Sequence, residues 1–249
     1  MSFELVVTWL SIASALIAIA GAIYSLKKKF FRKNDATPPI IYTERKHKLV
    51  ITANGEATST VSFNVKLNQD VSTLEWTSSV DNSNCYPYDT PSLKAFVDEI
   101  DVSENLVVLR RTASVLKFQL LIPASARRKM AFELRYVFGF GKKYPASLKE
   151  LAKIRKLNPD IKKGFYISEG QFVDIPTKRL RSEIEFKQGY PLDNLTAFEL
   201  INSSKDDRLL TNDDRHTFDI DRDKSTKAFI DVKEPIQGHR YCFRWALDK

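Results

Sequence analysis

The chain has 249 residues, of which 43% are hydrophobic and 28% charged, and its formal net charge is +8. More than half of that excess comes from five basic residues between 27 and 33, so the rest of the chain is only mildly basic. A dedicated nucleic-acid-binding protein needs a strongly basic domain, and this balance argues against that class.

The first predicted element is a membrane-spanning helix. Residues 5–26 read LVVTWLSIASALIAIAGAIYSL and contain no formal charge over 22 residues. About 20 such residues are enough for a helix to cross a bilayer. A cleaved signal peptide places its basic residues before the apolar run, whereas here they follow it. Residues 1–26 are therefore predicted to be a retained anchor.

The basic residues that follow this segment predict its orientation, because basic flanks remain on the cytoplasmic side. The N-terminus then lies outside, and the protein is a single-pass protein of the inner (plasma) membrane with a cytoplasmic body. Aromatic side chains near both ends of the segment fit the headgroup level, and the lysines and arginine fit the anionic inner leaflet. The predicted membrane-interface residues are Lys27, Lys28, Lys29, Arg32, Lys33, Trp9 and Tyr24.

Small residues recur at four-residue spacing within the segment, at Ser14, Ala18 and Ala22. Small side chains let the backbones of membrane helices approach closely, so this stripe predicts helix packing and a homo-oligomer. The alternative is that alanine and serine are simply common in such helices.

The remaining sequence predicts a mainly β protein. After a basic juxtamembrane linker at 27–41, alternating apolar and polar residues predict antiparallel strands. The first two strands flank Asn54-Gly55, a strong hairpin signal. We predict two tandem β-sandwich domains, at 42–145 and 160–249, joined by an amphipathic helix at 146–159. One larger β domain with a helical insertion is the competing architecture.

The connecting helix is predicted from the sequence PASLKELAKIRKLNPD. Ser147 and Glu150 have the spacing of a capping box, and Pro159 ends the helix. Its leucines are expected to pack on a sheet and its lysines to face solvent, while contact with the anionic bilayer is the alternative.

The sequence contains no pattern typical of a metal site, a cofactor site or a catalytic centre, and we predict a protein that is not an enzyme. Its three histidines are scattered, and the two cysteines have no partner at metal-ligand spacing. Free thiols are therefore expected at Cys85 and Cys242, with a disulfide between them as the alternative if the orientation is reversed. Alternating aspartates at 219–223 suggest calcium, but they lack the glycine and glutamate of an EF-hand loop.

One basic group has the character of a ligand site. Arg127, Arg128 and Lys129 follow an apolar run, and guanidinium groups suit phosphates, so we assign them as candidate ligand-binding residues for a nucleotide signal. Solubilising charges at a hairpin tip are the alternative.

The C-terminal sequence DVKEPIQGHRYCFRWALDK combines a Pro235–Gly238 turn with Tyr241 and Trp245. Together with the early ITANGEA hairpin, it resembles β-sandwich pairs in membrane-tethered effector or sensor proteins of bacterial conflict and anti-phage (antiviral) defence. The resemblance implies that the β part senses a signal or oligomerises and that the membrane part acts on the cell. It assigns no catalytic residue.

These features together predict an effector or sensor that multimerises to act on the membrane. A membrane scaffold that recruits a soluble protein partner is one alternative, and an enzyme whose site forms only in the fold is another.

Overall fold

A computed structural model describes residues 37–79, 85–86, 92–112, 115–157, 166–201, 207–221 and 225–248. Residues 38–249 form one compact unit, which is mainly β. The strands are β1 Ile40–Ile51, β2 Glu56–Leu67, β3 Thr73–Ser79, β4 Ser92–Val97, β5 Ile100–Asp101, β6 Leu106–Arg111, β7 Val115–Leu121, β8 Ala131–Lys142, β9 Ile167–Phe172, β10 Arg179–Phe186, β11 Leu192–Ile201, β12 Asp207–Leu209, β13 His216–Asp221, β14 Thr226–Lys233 and β15 His239–Leu247. The helices are α1 Ala124–Lys129 and α2 Leu148–Leu157, and a 3-10 turn covers Ser103–Asn105.

Three sheets organise these strands. Sheet A has eight strands in the order β13-β14-β10-β1-β2-β8-β4-β5. Sheet B is β3-β7-β6, and sheet C is β12-β11-β15-β9. Sheets B and C each pack on a different part of sheet A, and the result is two hydrophobic cores beside one shared sheet. This arrangement is of the β-sandwich type predicted from the alternation.

Sheet A crosses the predicted division at residues 145 and 160. Strand β1 from the N-terminal half pairs in parallel with β10 from the C-terminal half, with His47 opposite Ser182. Residues 38–249 are one compact unit. One core is built from side chains between Tyr42 and Phe138, whereas the other combines Leu49, Ile51 and Ala57 with side chains from the C-terminal half. Alternation identifies strands, but it does not say which strands are neighbours in a sheet.

Local sequence signals account for several element ends. The hairpin between β1 and β2 turns at Gly55, whose φ of +85° is costly for any residue with a Cβ. At the start of α2, the amide of Glu150 donates to Oγ of Ser147 and the amide of Ala146 donates to Glu150. Ser147 thus caps the helix as predicted, while Glu150 accepts from Ala146 and not from the amide of Ser147 that a complete capping box would use. Helix α2 buries Leu151 and Ile154, which confirms the interpretation that its apolar face packs on the body.

The closing strand β15 supplies the centre of one core. Tyr241, Phe243 and Trp245 are all buried, as the alternation in this strand predicts. The indole of Trp245 packs 5.4 Å from the Tyr144 ring and 5.2 Å from the Phe186 ring, measured between centroids. Its Nε1 donates a hydrogen bond to the hydroxyl of Tyr190.

Within the described ranges, no helix has both the length and the apolarity to cross a membrane. The predicted anchor at 5–26 and the predicted interface and packing residues lie outside those ranges. These are Trp9, Ser14, Ala18, Ala22, Tyr24, Lys27, Lys28, Lys29, Arg32 and Lys33.

Candidate ligand-binding cleft

A cleft of about 410 Å³ opens where the two cores meet above sheet A. One wall is Ser168–Phe172 of β9, and the opposite wall is Trp76–Ser78 of β3. The floor comes from β1, β2 and β8 of sheet A. The floor side chains include Arg45, Ser59, Val61, Phe138 and Phe140.

Both walls are edge strands in the described part of the chain, since β9 ends sheet C and β3 ends sheet B. The amide of Val173 donates to His239 and its carbonyl accepts from Gly238, so its backbone groups point toward β15. Successive residues of a strand alternate in direction. The backbone groups of Phe172, Gly170 and Ser168 therefore point to the side away from β15, toward the cleft.

Arg45 is the most unusual group on the floor, because it is a guanidinium with only 2% of its surface exposed. Its Nη1 donates to the carbonyl of Phe172 at 2.7 Å, and its Nη2 donates to Oε1 of Gln171 at 2.6 Å. The guanidinium also lies 4.7 Å from the centroid of the Trp76 ring. Its buried Nε has no acceptor among the described residues. Burial lowers the pKa of Arg45, although Asp174 at 3.7 Å opposes that effect.

Lys143, the residue after β8, forms the second charged group. Its Nζ lies 3.0 Å from Oε2 of Glu169, which also accepts a hydrogen bond from the hydroxyl of Tyr144. Burial acts to raise the pKa of Glu169, but Lys143, His47 and the Tyr144 hydroxyl outweigh it and hold the pKa below its usual range. Glu169 is therefore ionised at neutral pH.

His47 lies beside this cluster on the inner side of β1. Its Nδ1 is 2.9 Å from Oγ of Ser182, and its Nε2 is 3.1 Å from Oγ of Ser59. Burial is the largest cause of a pKa lowered to about 4, so the imidazole is neutral at pH 7. Two serine hydroxyls satisfy its ring nitrogens, which makes it a structural polar group of the core.

The charges lining the cleft leave only a small positive excess, because Arg45 pairs with Asp174 and Lys143 pairs with Glu169. The lining contains three cationic side chains, Arg45, Lys143 and Arg240, and two carboxylates, Glu169 and Asp174. Aromatic rings of Trp76, Phe138, Phe140 and Phe172 provide apolar contact area.

The basic residues predicted as a ligand site lie elsewhere. Arg127, Arg128 and Lys129 belong to α1 and do not line the cleft. Arg127 pairs with Asp70 at 3.3 Å, Lys129 pairs with Asp98 at 2.8 Å, and Nε of Arg128 donates to the carbonyl of Ala124. Arg128 and Lys129 are exposed, whereas Arg127 is half-buried and its buried Nε has no acceptor among the described residues.

No group of three or more histidine, cysteine or acidic side chains within the described ranges has the arrangement of a metal site. Asp219 and Asp221 are exposed on β13, while Phe218 and Ile220 turn toward a core. Cys85 and Cys242 are buried and form no disulfide with each other.

No family model matches the chain, and no curated protein matches it. Solved structures that match the chain include a protein from Parabacteroides distasonis described as a protease, with a TM-score of 0.45, 8% identity and coverage of 84% of this chain and 40% of that one. An M1 zinc metallopeptidase from Deinococcus radiodurans has a TM-score of 0.40 and 7% identity over 83% of this chain and 42% of its own. Yeast LTA4 hydrolase in complex with bestatin has a TM-score of 0.45 and 10% identity over 88% of this chain and 32% of its own.

The chain thus spans well under half the length of these proteins. At these identities and TM-scores, the similarity carries no statement about activity.

Sequence reasoning missed the cleft, although β1 contains a signal for it. Arg45, His47, Leu49 and Ile51 occupy the same face of a period-two strand, and the last two are core residues. A cation on the core face of a strand requires a polar partner from elsewhere in the fold. That partner is on β9, which the sequence places more than a hundred residues away.

Proposed function

We propose that this protein is a membrane-anchored receptor whose β body binds a short, extended, acidic segment of another protein in the cleft. The observation that carries the proposal is Arg45, a buried guanidinium whose Nε has no acceptor among the described residues. It lies beside β9, where the backbone groups of Ser168 and Gly170 point toward the same cleft. A peptide adding to β9 would supply backbone partners, and its acidic side chain would supply an anion for the cationic lining. Main-chain pairing would give affinity, and the charge would give specificity.

The anchor is the second part of the proposal. Residues 5–26 and the basic residues that follow them support a single-pass helix with the body on the cytoplasmic side. In this proposal, ligand binding brings several copies together and rearranges their membrane helices. The resemblance to membrane-tethered defence effectors supports such a role, and a scaffold that only recruits its partner is the alternative.

The binding proposal can be tested with the full-length protein in lipid nanodiscs. The probe is the peptide fluorescein-Thr-Val-Glu-Val-Thr-Val-amide, labelled at its N-terminus, and its matched control has the same label and Lys in place of Glu. We expect fluorescence anisotropy to show binding of the Glu peptide and at least about tenfold weaker binding of the Lys peptide, a difference of ~1.4 kcal/mol. Equal binding of the two peptides, or binding of neither, would contradict an acidic peptide as the ligand.

Two charge-reversal variants locate the site. Arg240→Glu changes a cleft residue, and Arg128→Glu makes the same change on α1 outside the cleft. We expect Arg240→Glu to weaken binding of the Glu peptide about tenfold and Arg128→Glu to leave it unchanged. The reverse result would place the site at α1 and remove the cleft from consideration.

A further inference from the structure

Strand β6 is an apolar edge strand that nothing in the described part of the chain covers. It ends sheet B, and the exposed fractions of its side chains are 55% for Val107, 53% for Val108 and 44% for Leu109. Ile100 in β5, at the end of sheet A, is 68% exposed. Long apolar edge strands promote pairing with another chain unless they are protected.

The backbone of β6 has hydrogen-bonding groups available for such pairing. The amide of Ile122, just after β7, donates to the carbonyl of Ser72, so the backbone groups of Ile122 point toward β3. Because successive residues alternate, the backbone groups of Gln119, three residues earlier, point the other way, toward β6. Val107 lies opposite Gln119 and directs its backbone groups to β7. By alternation, the amide and carbonyl of Val108 point away from β7, to the free edge.

The charges at the two ends of this segment are complementary. Residues 104–111 read ENLVVLRR, with exposed Glu104 at the start and exposed Arg110 and Arg111 at the end. When two copies of this segment lie antiparallel, each acidic end approaches a basic end and the apolar residues meet in the middle. A parallel arrangement would place like charges together, which is unfavourable.

We infer that β6 pairs antiparallel with β6 of a second copy around a two-fold axis near Val108, which joins two copies of sheet B into one six-stranded sheet. An isologous contact of this kind closes at two copies and does not propagate. This pairing would supply the surface by which copies come together in the proposed function. Peptide binding in the cleft needs only a single copy and does not depend on the pairing.

Cross-linking tests the two-fold axis directly. Residues opposite one another in an antiparallel pair have Cβ atoms about 4.5–5.5 Å apart, so Val108→Cys should form a disulfide with its counterpart when membranes containing the full-length protein are oxidised. Leu121→Cys is the matched control, because Leu121 is also 53% exposed in sheet B but lies on the central strand β7. We expect a cross-linked dimer for Val108→Cys and only the parent background for Leu121→Cys.

A charge exchange tests the direction of pairing in the Val108→Cys background. Five strand steps of roughly 3.3 Å separate Leu106 from Arg111, and Glu104 lies in the turn before Leu106, so an ion pair between Glu104 and Arg111 of the same chain is not expected. Any compensation between them must therefore be intermolecular. We expect Arg111→Glu alone and Glu104→Arg alone each to reduce the yield of dimer severalfold and the double variant to restore it.

The alternative to this inference is that β6 is an ordinary edge strand that is protected from pairing with another chain. The register shift between Val108 and Arg110 and the two arginines are also devices that keep edge strands unpaired. If Val108→Cys cross-links no better than Leu121→Cys, or if the double charge exchange restores nothing, β6 is such an edge. Fluorescence anisotropy of the Glu peptide, measured on the same β6 variants, distinguishes this outcome from a failure of the binding proposal. Variants changed only in β6 should bind the peptide as the parent does.

Discussion

Nζ of Lys143 lies 3.0 Å from Oε2 of Glu169, and this ion pair ties the end of β8 to β9 across the junction of the two cores. The lysine side chain is 6% exposed and the glutamate side chain 19% exposed, so solvent screens the pair only in part. A pair of this kind adds little net stability, but removal of one partner leaves a charge without compensation.

The first prediction concerns that pair. Lys143→Met should destabilise the fold at pH 7 by about 1–3 kcal/mol, because the carboxylate of Glu169 loses its cation in a partly buried site. The Lys143→Met/Glu169→Gln double variant should be more stable than Lys143→Met alone, since the uncompensated charge is gone. Urea denaturation of the four proteins in this cycle measures the difference.

The pH dependence of the same cycle has a definite sign. The folded-state pKa of Glu169 is lowered, so its ionisation stabilises the fold above its unfolded pKa of about 4.3, and this contribution disappears as the pH falls through the folded value. The cost of Lys143→Met should therefore shrink as the pH falls below about 4. A cost that is constant from pH 7 to pH 3 would contradict the role of Glu169.

His47 gives a prediction in a different pH range. Its folded pKa is lowered to about 4 from an unfolded value near 6.5, so the unfolded state binds the proton first as the pH falls. Stability is unaffected above pH 7 and decreases between pH 6.5 and pH 4, by about 2 kcal/mol at pH 5. Urea denaturation at pH 7 and pH 5 should show this loss in the parent protein. The His47→Gln variant should be less stable than the parent at pH 7, but its free energy of unfolding should change little between pH 7 and pH 5.

Gly170 provides a steric test of the cleft wall. A Cβ there would lie 2.3 Å from Sγ of Cys242 and 2.8 Å from the carbonyl of Tyr241, so β9 would have to move away from β15. Gly170→Ala should cost about 1–3 kcal/mol and weaken binding of the Glu peptide. Gly141→Ala is the control, because a Cβ at Gly141 meets no atom within 4 Å. Equal melting temperatures of the two variants would show that the approach of β9 to β15 is looser than described.

Trp245 tests the closing strand. It is fully buried between aromatic rings, so Trp245→Ala should cost about 3–5 kcal/mol. Arg244→Ala on the other face of β15 removes a guanidinium that lies 4.0 Å from the centroid of the Phe198 ring, and about 1 kcal/mol is expected. Thermal unfolding should rank the two variants in that order. A Trp245→Ala variant with the same melting temperature as the parent would rule out the assignment of Trp245 to the core.

The topology of the anchor remains a prediction from the basic residues at 27–33. A reporter fused after Lys249 should behave as cytoplasmic, because basic flanks stay on that side. Alkaline phosphatase activity of such a fusion would show the opposite orientation. Substitution of these basic residues by glutamine, with the apolar segment unchanged, should reduce the fraction of molecules whose C-terminus is cytoplasmic.

Local patterns in the sequence determined the elements of this protein. The hairpin at Asn54-Gly55, the helix cap at Ser147 and the buried face of β15 all depend on neighbours within a few residues. Turn geometry, helix capping and strand alternation are short-range effects, so a single sequence contains them. It also contains the charge pattern that predicts the anchor.

Only the tertiary structure decided how these elements combine. Arg45 and Gln171 are 126 residues apart, and they meet because sheet C, which contains β9, packs on sheet A, which contains β1. No local preference specifies which strand pairs with which, because the backbone hydrogen bonds of a sheet are the same for every partner. The cleft and the open edge of β6 follow from strand order, and strand order is set by which apolar faces pack together.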